Sequence, residues 1–123
     1  MAEVSEHPSV LDPSALDQLR ALQRPGKPSL VDKVIELFMQ DAPAHLAGFR
    51  AAAEALDTVE MRRRVHTLKS SSASVGAMAL SRACADAEEA ARLGDREEAL
   101  RRAEPLDGML EQVLEALREE LAA

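Results

Sequence analysis

The chain has 123 residues, which suits one domain and leaves no room for a second. Its hydrophobic share of 46% is enough for one core, but the only aromatics are Phe38 and Phe49, so that core must be built from Leu, Val, Ala and Met. The net charge of −7 repels phosphate backbones, and almost no rings are available to stack on bases, which argues against nucleic acid as a partner.

The single cysteine, Cys84, rules out an internal disulfide and a multi-cysteine zinc site, and a reducing, cytoplasmic setting is expected. No stretch approaches the roughly 18 uninterrupted apolar residues of a membrane span. The acidic start Met1-Ala2-Glu3-Val4-Ser5-Glu6 lacks a signal-peptide pattern.

Ala, Leu, Glu and Arg dominate, and all favour helix. Residues 1–11 carry little periodicity and are expected to form a flexible tail, with the helical domain spanning 12–123. Asp12 before Pro13 reads as an N-cap with proline at the first helical position, opening a short helix with Leu16, Leu19 and Leu22 inward. Arg24-Pro25-Gly26-Lys27-Pro28 breaks the chain. Ser29 then caps a longer helix, with Asp32 in capping-box position and an apolar stripe of Leu30, Val34, Leu37, Phe38, Leu46, Phe49, Ala53 and Leu56. Pro43 lies inside that pattern and is expected to kink the helix or split it near Gln40 and Asp41.

Asp57 with Glu60 three residues on opens the next helix, from about Thr58 to Val75, and Gly76 marks a turn. A segment from Ala77 to Leu93 follows and ends at Gly94. Asp95 with Glu98 opens a last helix to about Leu121, bent by Pro105 and weakened slightly at Gly108. Short connections between long helices imply an all-α, antiparallel up-down four-helix bundle with a short extra N-terminal helix.

The informative helix carries Met61, Val65, Leu68, Ser72 and Val75 in one heptad-like stripe facing the bundle. At roughly 100° per residue His66 lies about 140° from the centre of that stripe and points outward. Arg62, Arg63, Lys69 and Ser70 surround it one turn away, and Ala73 follows two turns on. Arg62, Arg63, Arg64 and Lys69 put four positive charges on a short stretch of a chain that is −7 overall. A lone histidine on a basic helix face is usually only a solvated surface. Here Ser70 and Ala73 keep the surface low around the ring, as docking of a flat partner would need, and the cations suit a ring that carries an anionic group. Imidazole has an ordinary pKa of about 6.5, so a neutral ring nitrogen is available near neutral pH to accept a phosphoryl group covalently. The chain has no P-loop, no kinase glycine loop and no clear magnesium-binding acidic cluster, so ATP binding and unaided catalysis are not expected.

These residues resemble the histidine-containing phosphotransfer (HPt) domains of bacterial two-component phosphorelays. The family pattern His-x-Leu-Lys-Gly-Ser-Ser/Ala, then Gly-Ala, Leu, and often Cys and Glu, reads here as His66, Leu68, Lys69, Ser70, Ser71, Ser72, Gly76, Ala77, Leu80, Cys84, Glu88 and Glu89. The stretch from Leu30 to Phe38 is similar to the family's opening helix, and the likeness covers about residues 12–121. The resemblance implies that His66 is phosphorylated and exchanges its phosphoryl group with receiver-domain aspartates. Lys69 and Ser70 would then stabilise the group, Ser70 standing where glycine is commoner. Glu88 would orient the imidazole from the neighbouring helix, where some members use Gln. Arg62, Arg63 and Ala73 would contact the partner. It implies response-regulator receivers and hybrid sensor histidine kinases as partners, no cofactor bound by this chain, and Mg²⁺ in the partner receiver. The competing readings are a phosphorylation-independent adaptor, which His66→Ala would leave functional, and a structural or dimerising bundle. The His66 helix shows no second apolar stripe, so a monomer is expected.

The remaining features read as structural. His7 and His45 have no ligand partner at helical spacing, so no metal site is expected. Cys84 falls in the inward stripe Ala77, Leu80, Cys84, Ala87 and Ala91, as a core thiol. Met39, Met61, Met78 and Met109 are expected to pack in the core, and the acidic run from Glu115 to Glu120 is expected to be a solvated face.

Overall fold

A computed structural model describes residues 10–122. The flexible tail expected at the start, and His7 within it, fall almost wholly outside the described residues. Of that segment Val10 and Leu11 are described, and both pack against the core.

The described residues form six helices: α1 (Pro13–Ala21), α2 (Leu30–Glu54), α3 (Thr58–Ser74), α4 (Met78–Arg92), α5 (Arg96–Arg102) and α6 (Leu106–Ala122). Four of the starts are set by side chains. Asp12, Ser29, Asp57 and Asp95 each accept a hydrogen bond from a backbone N–H of the first turn, at Ser14, Asp32, Glu60 and Glu98. Three-residue turns join α2 to α3 to α4, which makes these neighbours antiparallel. α3 packs mainly against α4 and α2, and α6 closes the bundle against α2 and α4.

The core is mainly aliphatic, as the composition demands, with Phe38 and Phe49 as its two rings. Met61, Val65, Leu68, Ser72 and Val75 are all buried on α3 or at its end, and Ala77, Leu80, Cys84, Ala87 and Ala91 meet them from α4. Ser72 is the one buried polar side chain among the described residues, and its hydroxyl donates to the Leu68 carbonyl at 2.7 Å. That bond satisfies a donor that would otherwise cost about 1–3 kcal/mol.

Three expectations need correction. α2 is not split at Pro43 but runs unbroken for 25 residues. Pro43 is exposed, so the carbonyl it leaves without a partner can face water, and Phe38, Ala42 and Leu46 hold both halves of the helix in the core. The segment after Asp95 is two helices rather than one bent helix. Pro105 has no N–H to give and disfavours helical backbone at Glu104, so α5 stops at Arg102 and α6 starts afresh at Leu106. The inward stripes of α1 and α2 also differ from the expected ones. Leu22, Leu37 and Leu56 are exposed, whereas Ile35, Ala42 and Ala52 are buried. Leu22 and Leu56 lie just past helix ends, and Leu56 has φ 59°, so the helical period no longer decides where either points.

Gly76 has φ +84°, and its carbonyl accepts from the Asp12 N–H at 2.7 Å. A Cβ there would collide with the Asp12 carbonyl oxygen. The α3–α4 turn is therefore also the seat of the N-terminal segment and α1, whose Leu16 enters the core.

Candidate functional site

The Met61–Val75 stripe anchors α3, and the same rotation that buries Val65 and Leu68 turns His66 outward, leaving its side chain 57% exposed. The expected exposed imidazole is thus present. It is not unsupported. Glu88 reaches across from α4 and its Oε2 lies 2.7 Å from His66 Nδ1. A carboxylate only accepts, so Nδ1 carries the hydrogen of that bond. Nε2 is the other ring nitrogen, and in the neutral ring it holds the lone pair.

The other oxygen of Glu88 is also taken. Lys69 Nζ lies 2.6 Å from Glu88 Oε1, so one carboxylate, 12% exposed, binds both the ring and the ammonium. Burial alone would push the Glu88 carboxyl up. The hydrogen bonds from Lys69 and His66 and the Lys69 charge outweigh it, and hold the group below the usual carboxylate range. Lys69 is fixed from the backbone side as well, because the Ser81 hydroxyl on α4 donates to the Lys69 carbonyl at 3.0 Å.

The expected site residues are therefore divided. His66, Lys69 and Glu88 come together as one bonded cluster. Ser70 is exposed one turn beyond the ring, and Ala73 is half-buried a further turn on. Arg63 is on the expected face, but its guanidinium is held by both oxygens of Glu60, at 2.8 and 2.6 Å. Arg64 also binds Glu60, and its side chain runs over Gly48 of α2 toward His45. Arg62 is exposed and has no ion-pair partner within 4.0 Å among the described residues, so it is the least committed of the three arginines.

Two pairings lie outside the sequence reading, one through Glu60 and one between Lys69 and Glu88. The Glu60 partnership with Arg63 and Arg64 follows from i,i+3 and i,i+4 spacing and was readable in advance. The Lys69–Glu88 pair crosses from one helix to another, and no local spacing reveals it. Cys84, one turn before Glu88, is fully buried as expected. Burial, then the Glu88 charge, pushes its thiol up to about 12, so it stays protonated and inert at neutral pH.

The family model described as "Hpt domain" matches residues 33–120, most of the chain and all of the cluster.

The chain belongs to the Hpt-domain family.

Relatives of this Hpt domain agree. Histidine-containing phosphotransfer protein 5 of Arabidopsis thaliana is 33% identical over 93 residues, covering 73% of this chain. The match spans only 59% of that relative's length. Among solved structures, histidine-containing phosphotransfer protein B (HptB) of Pseudomonas aeruginosa PAO1 superposes with a TM-score of 0.80 at 25% identity, over 90% of this chain and 93% of that one. The maize histidine-containing phosphotransfer protein ZmHP2 gives 0.72 at 25% identity, over 93% and 88%. The all-helical bundle expected from the helix patterns is the fold of these Hpt proteins. No helix among the described residues is long and apolar enough to cross a membrane.

Proposed function

We propose that this Hpt domain is a phosphorelay carrier. It accepts a phosphoryl group on His66 from a receiver-domain aspartate and passes it to another. The observation that carries the reading is the exposed ring whose Nδ1 is committed to Glu88, which leaves Nε2 as the nitrogen with a free lone pair. Nucleophilic attack needs that lone pair in reach of phosphorus, and the small surface at Ser70 and Ala73 gives a partner room to come close.

Lys69 sits one turn along, and the N–H donors of its ammonium not given to Glu88 are proposed to meet the phosphoryl oxygens, with Ser70 as a hydroxyl donor beside it. Arg62 and Arg63 frame the other side of the ring and are proposed docking contacts, with Ala73 as the flat contact below. The partner classes are response-regulator receivers and sensor histidine kinases. Mg²⁺ and the reacting carboxylate belong to the partner receiver, so this chain acts as a carrier and not as an enzyme turning over alone. A cytoplasmic, monomeric protein fits this role.

The test is incubation with a phosphorylated receiver. The wild-type chain should acquire acid-labile, alkali-stable label, and His66→Gln should acquire none while keeping its helical spectrum. Label on histidine in the His66→Gln variant would overturn the assignment. A chain that takes no label yet still alters receiver output would point to an adaptor.

A further inference from the structure

Two arginines of α3 share one carboxylate, and they are held differently. Glu60 binds Arg63 through both oxygens, Nε on Oε1 at 2.8 Å and Nη2 on Oε2 at 2.6 Å, and it binds Arg64 Nε through Oε2 at 2.9 Å. The helix start leaves this carboxylate free. The Glu60 backbone N–H donates to Asp57 Oδ1, but the Asp57 N–H goes to the Ala52 carbonyl, so the return bond of a capping box is not made. Arg64 is anchored. Its side chain lies over Gly48 of α2, where a Cβ would stand 2.7 Å from its Nε, and its Nη1 lies 3.4 Å from His45 Nδ1. Arg63 has no such seat. Its side chain is 65% exposed, against 31% for Arg64, and its ion pair is with Glu60.

Glu60 and His66 stand one turn either side of Arg63, three residues before it and three after. The guanidinium fork can serve one or the other. Helical side chains lean toward the N-terminus of their helix, which carries the His66 ring back over the turn of Arg63. An empty ring offers no anion, so Glu60 keeps the fork. A phosphoryl group offers three acceptor oxygens and more negative charge than a carboxylate, which makes it the stronger partner for a guanidinium. Glu60 can give up Arg63 without being left unpaired, because Arg64 stays.

We infer that Arg63 changes partner when the carrier is loaded, leaving Glu60 for the phosphoryl group on His66 while Arg64 keeps Glu60. The inference rests on the carrier reading. On loading, the Nε2 lone pair forms the N–P bond, and the P–O bond of the donor acyl phosphate breaks with its electron pair remaining on the carboxylate oxygen. Arg63 forms no covalent bond and moves no proton. It meets the charge that has arrived. Glu60 is a positioning residue: it holds Arg63 one turn from the ring in the empty carrier and competes for it in the loaded one. On release the N–P bond breaks, its pair returns to Nε2, phosphorus bonds to an oxygen of the acceptor carboxylate, and Arg63 returns to Glu60.

The experiment equilibrates a dilute, radiolabelled, Mg²⁺-loaded receiver with wild type, Arg63→Gln, Glu60→Gln and the double variant, and reads the loaded-to-empty ratio of each. Where complexes are scarce, docking contacts change the speed of approach to this ratio but not its value, so a role for Arg63 in docking alone leaves it unmoved. Arg63→Gln should lower the ratio by about fivefold, the weight of one exposed charge-assisted bond. Glu60→Gln should raise it by about threefold, because the phosphoryl group no longer competes with an exposed ion pair for Arg63. In the Arg63→Gln background most of that gain should vanish. An equal gain in both backgrounds would overturn the inference, and so would a ratio that Arg63→Gln leaves unchanged. A second readout depends on no variant folding. In wild type loaded with phosphoramidate, the Arg63 side-chain Nε–H resonance should shift and that of Arg64 should stay; a stationary Arg63 resonance would overturn the exchange. Failure of the wild type to load on His66 is a different outcome, since it refutes the carrier reading and the inference with it.

Discussion

Gly76→Ala should be far more costly than the same change at Gly94, although both glycines have nearly the same backbone, φ +84° and +77°. Each substitution places a Cβ in the left-handed region, at about 1–2 kcal/mol. At Gly94 nothing lies within 4 Å of the new atom, so the cost ends there. At Gly76 the Cβ meets the Asp12 carbonyl, a backbone atom that can move only if the N-terminal segment moves. That shift breaks the Asp12 N–H to Gly76 carbonyl bond, worth about 1 kcal/mol. It also loosens Leu16, whose full exposure would cost about another 1.5–3 kcal/mol. Urea unfolding should show a loss of about 2–5 kcal/mol for Gly76→Ala, at least 1 kcal/mol beyond Gly94→Ala. Equal losses would refute the docking of the N-terminal segment on the α3–α4 turn.

Lys69→Ala should lower the fraction of chain held as phosphohistidine by about tenfold, the weight of one partly exposed charge-assisted hydrogen bond, read by gel retardation of the loaded form. The Cys84 thiol should resist alkylation in the native state at neutral pH and react only once the chain is unfolded, as followed by intact mass. Acid should destabilise the bundle in a defined window. The Glu60 carboxyl is lowered, from 4.5 to about 2, first by its hydrogen bonds to Arg63 and Arg64, and Glu88 is also lowered. Stability from such groups is complete above their unfolded pKa and is lost as pH falls toward the folded one. Thermal melts should therefore decline between about pH 4.5 and about 2, and Glu60→Gln should flatten part of that decline.

The helix starts were legible because each depends on one side chain and the N–H two or three residues later, an interaction that tertiary structure does not disturb at Asp12, Ser29, Asp57 or Asp95. The α3 and α4 stripes were legible for a similar reason. Both helices pack along most of their length, so period alone decides which residues are buried. Pro43 and Pro105 show where local rules stop. The same missing N–H is tolerated in α2, where packing continues on both sides, and ends a helix at Pro105, where the chain must pass from α5 to α6. Leu56 was misplaced because positive φ rotates its side chain away from the face that the preceding turn predicts.

The site was legible in the same measure. His66 outward, with Lys69 and Ser70 beside it, follows from one helix and its period. The face is less basic than the stretch from Met61 to Lys69 suggests by itself, since Glu60 and Glu88 pair with Arg63 and Lys69 from outside it. Glu88 could be named only through family likeness. Its double engagement depends on how α4 is set against α3, which no sequence spacing encodes.

The central claim is that Glu88 holds Nδ1 and so presents Nε2 of His66 to the phosphoryl donor. Heteronuclear NMR of the ¹⁵N-labelled chain after loading identifies which ring nitrogen bears phosphorus. A single His66 adduct at Nε2, with hydrogen retained at Nδ1, is the predicted spectrum; phosphorus at Nδ1, or on any other side chain, would contradict it.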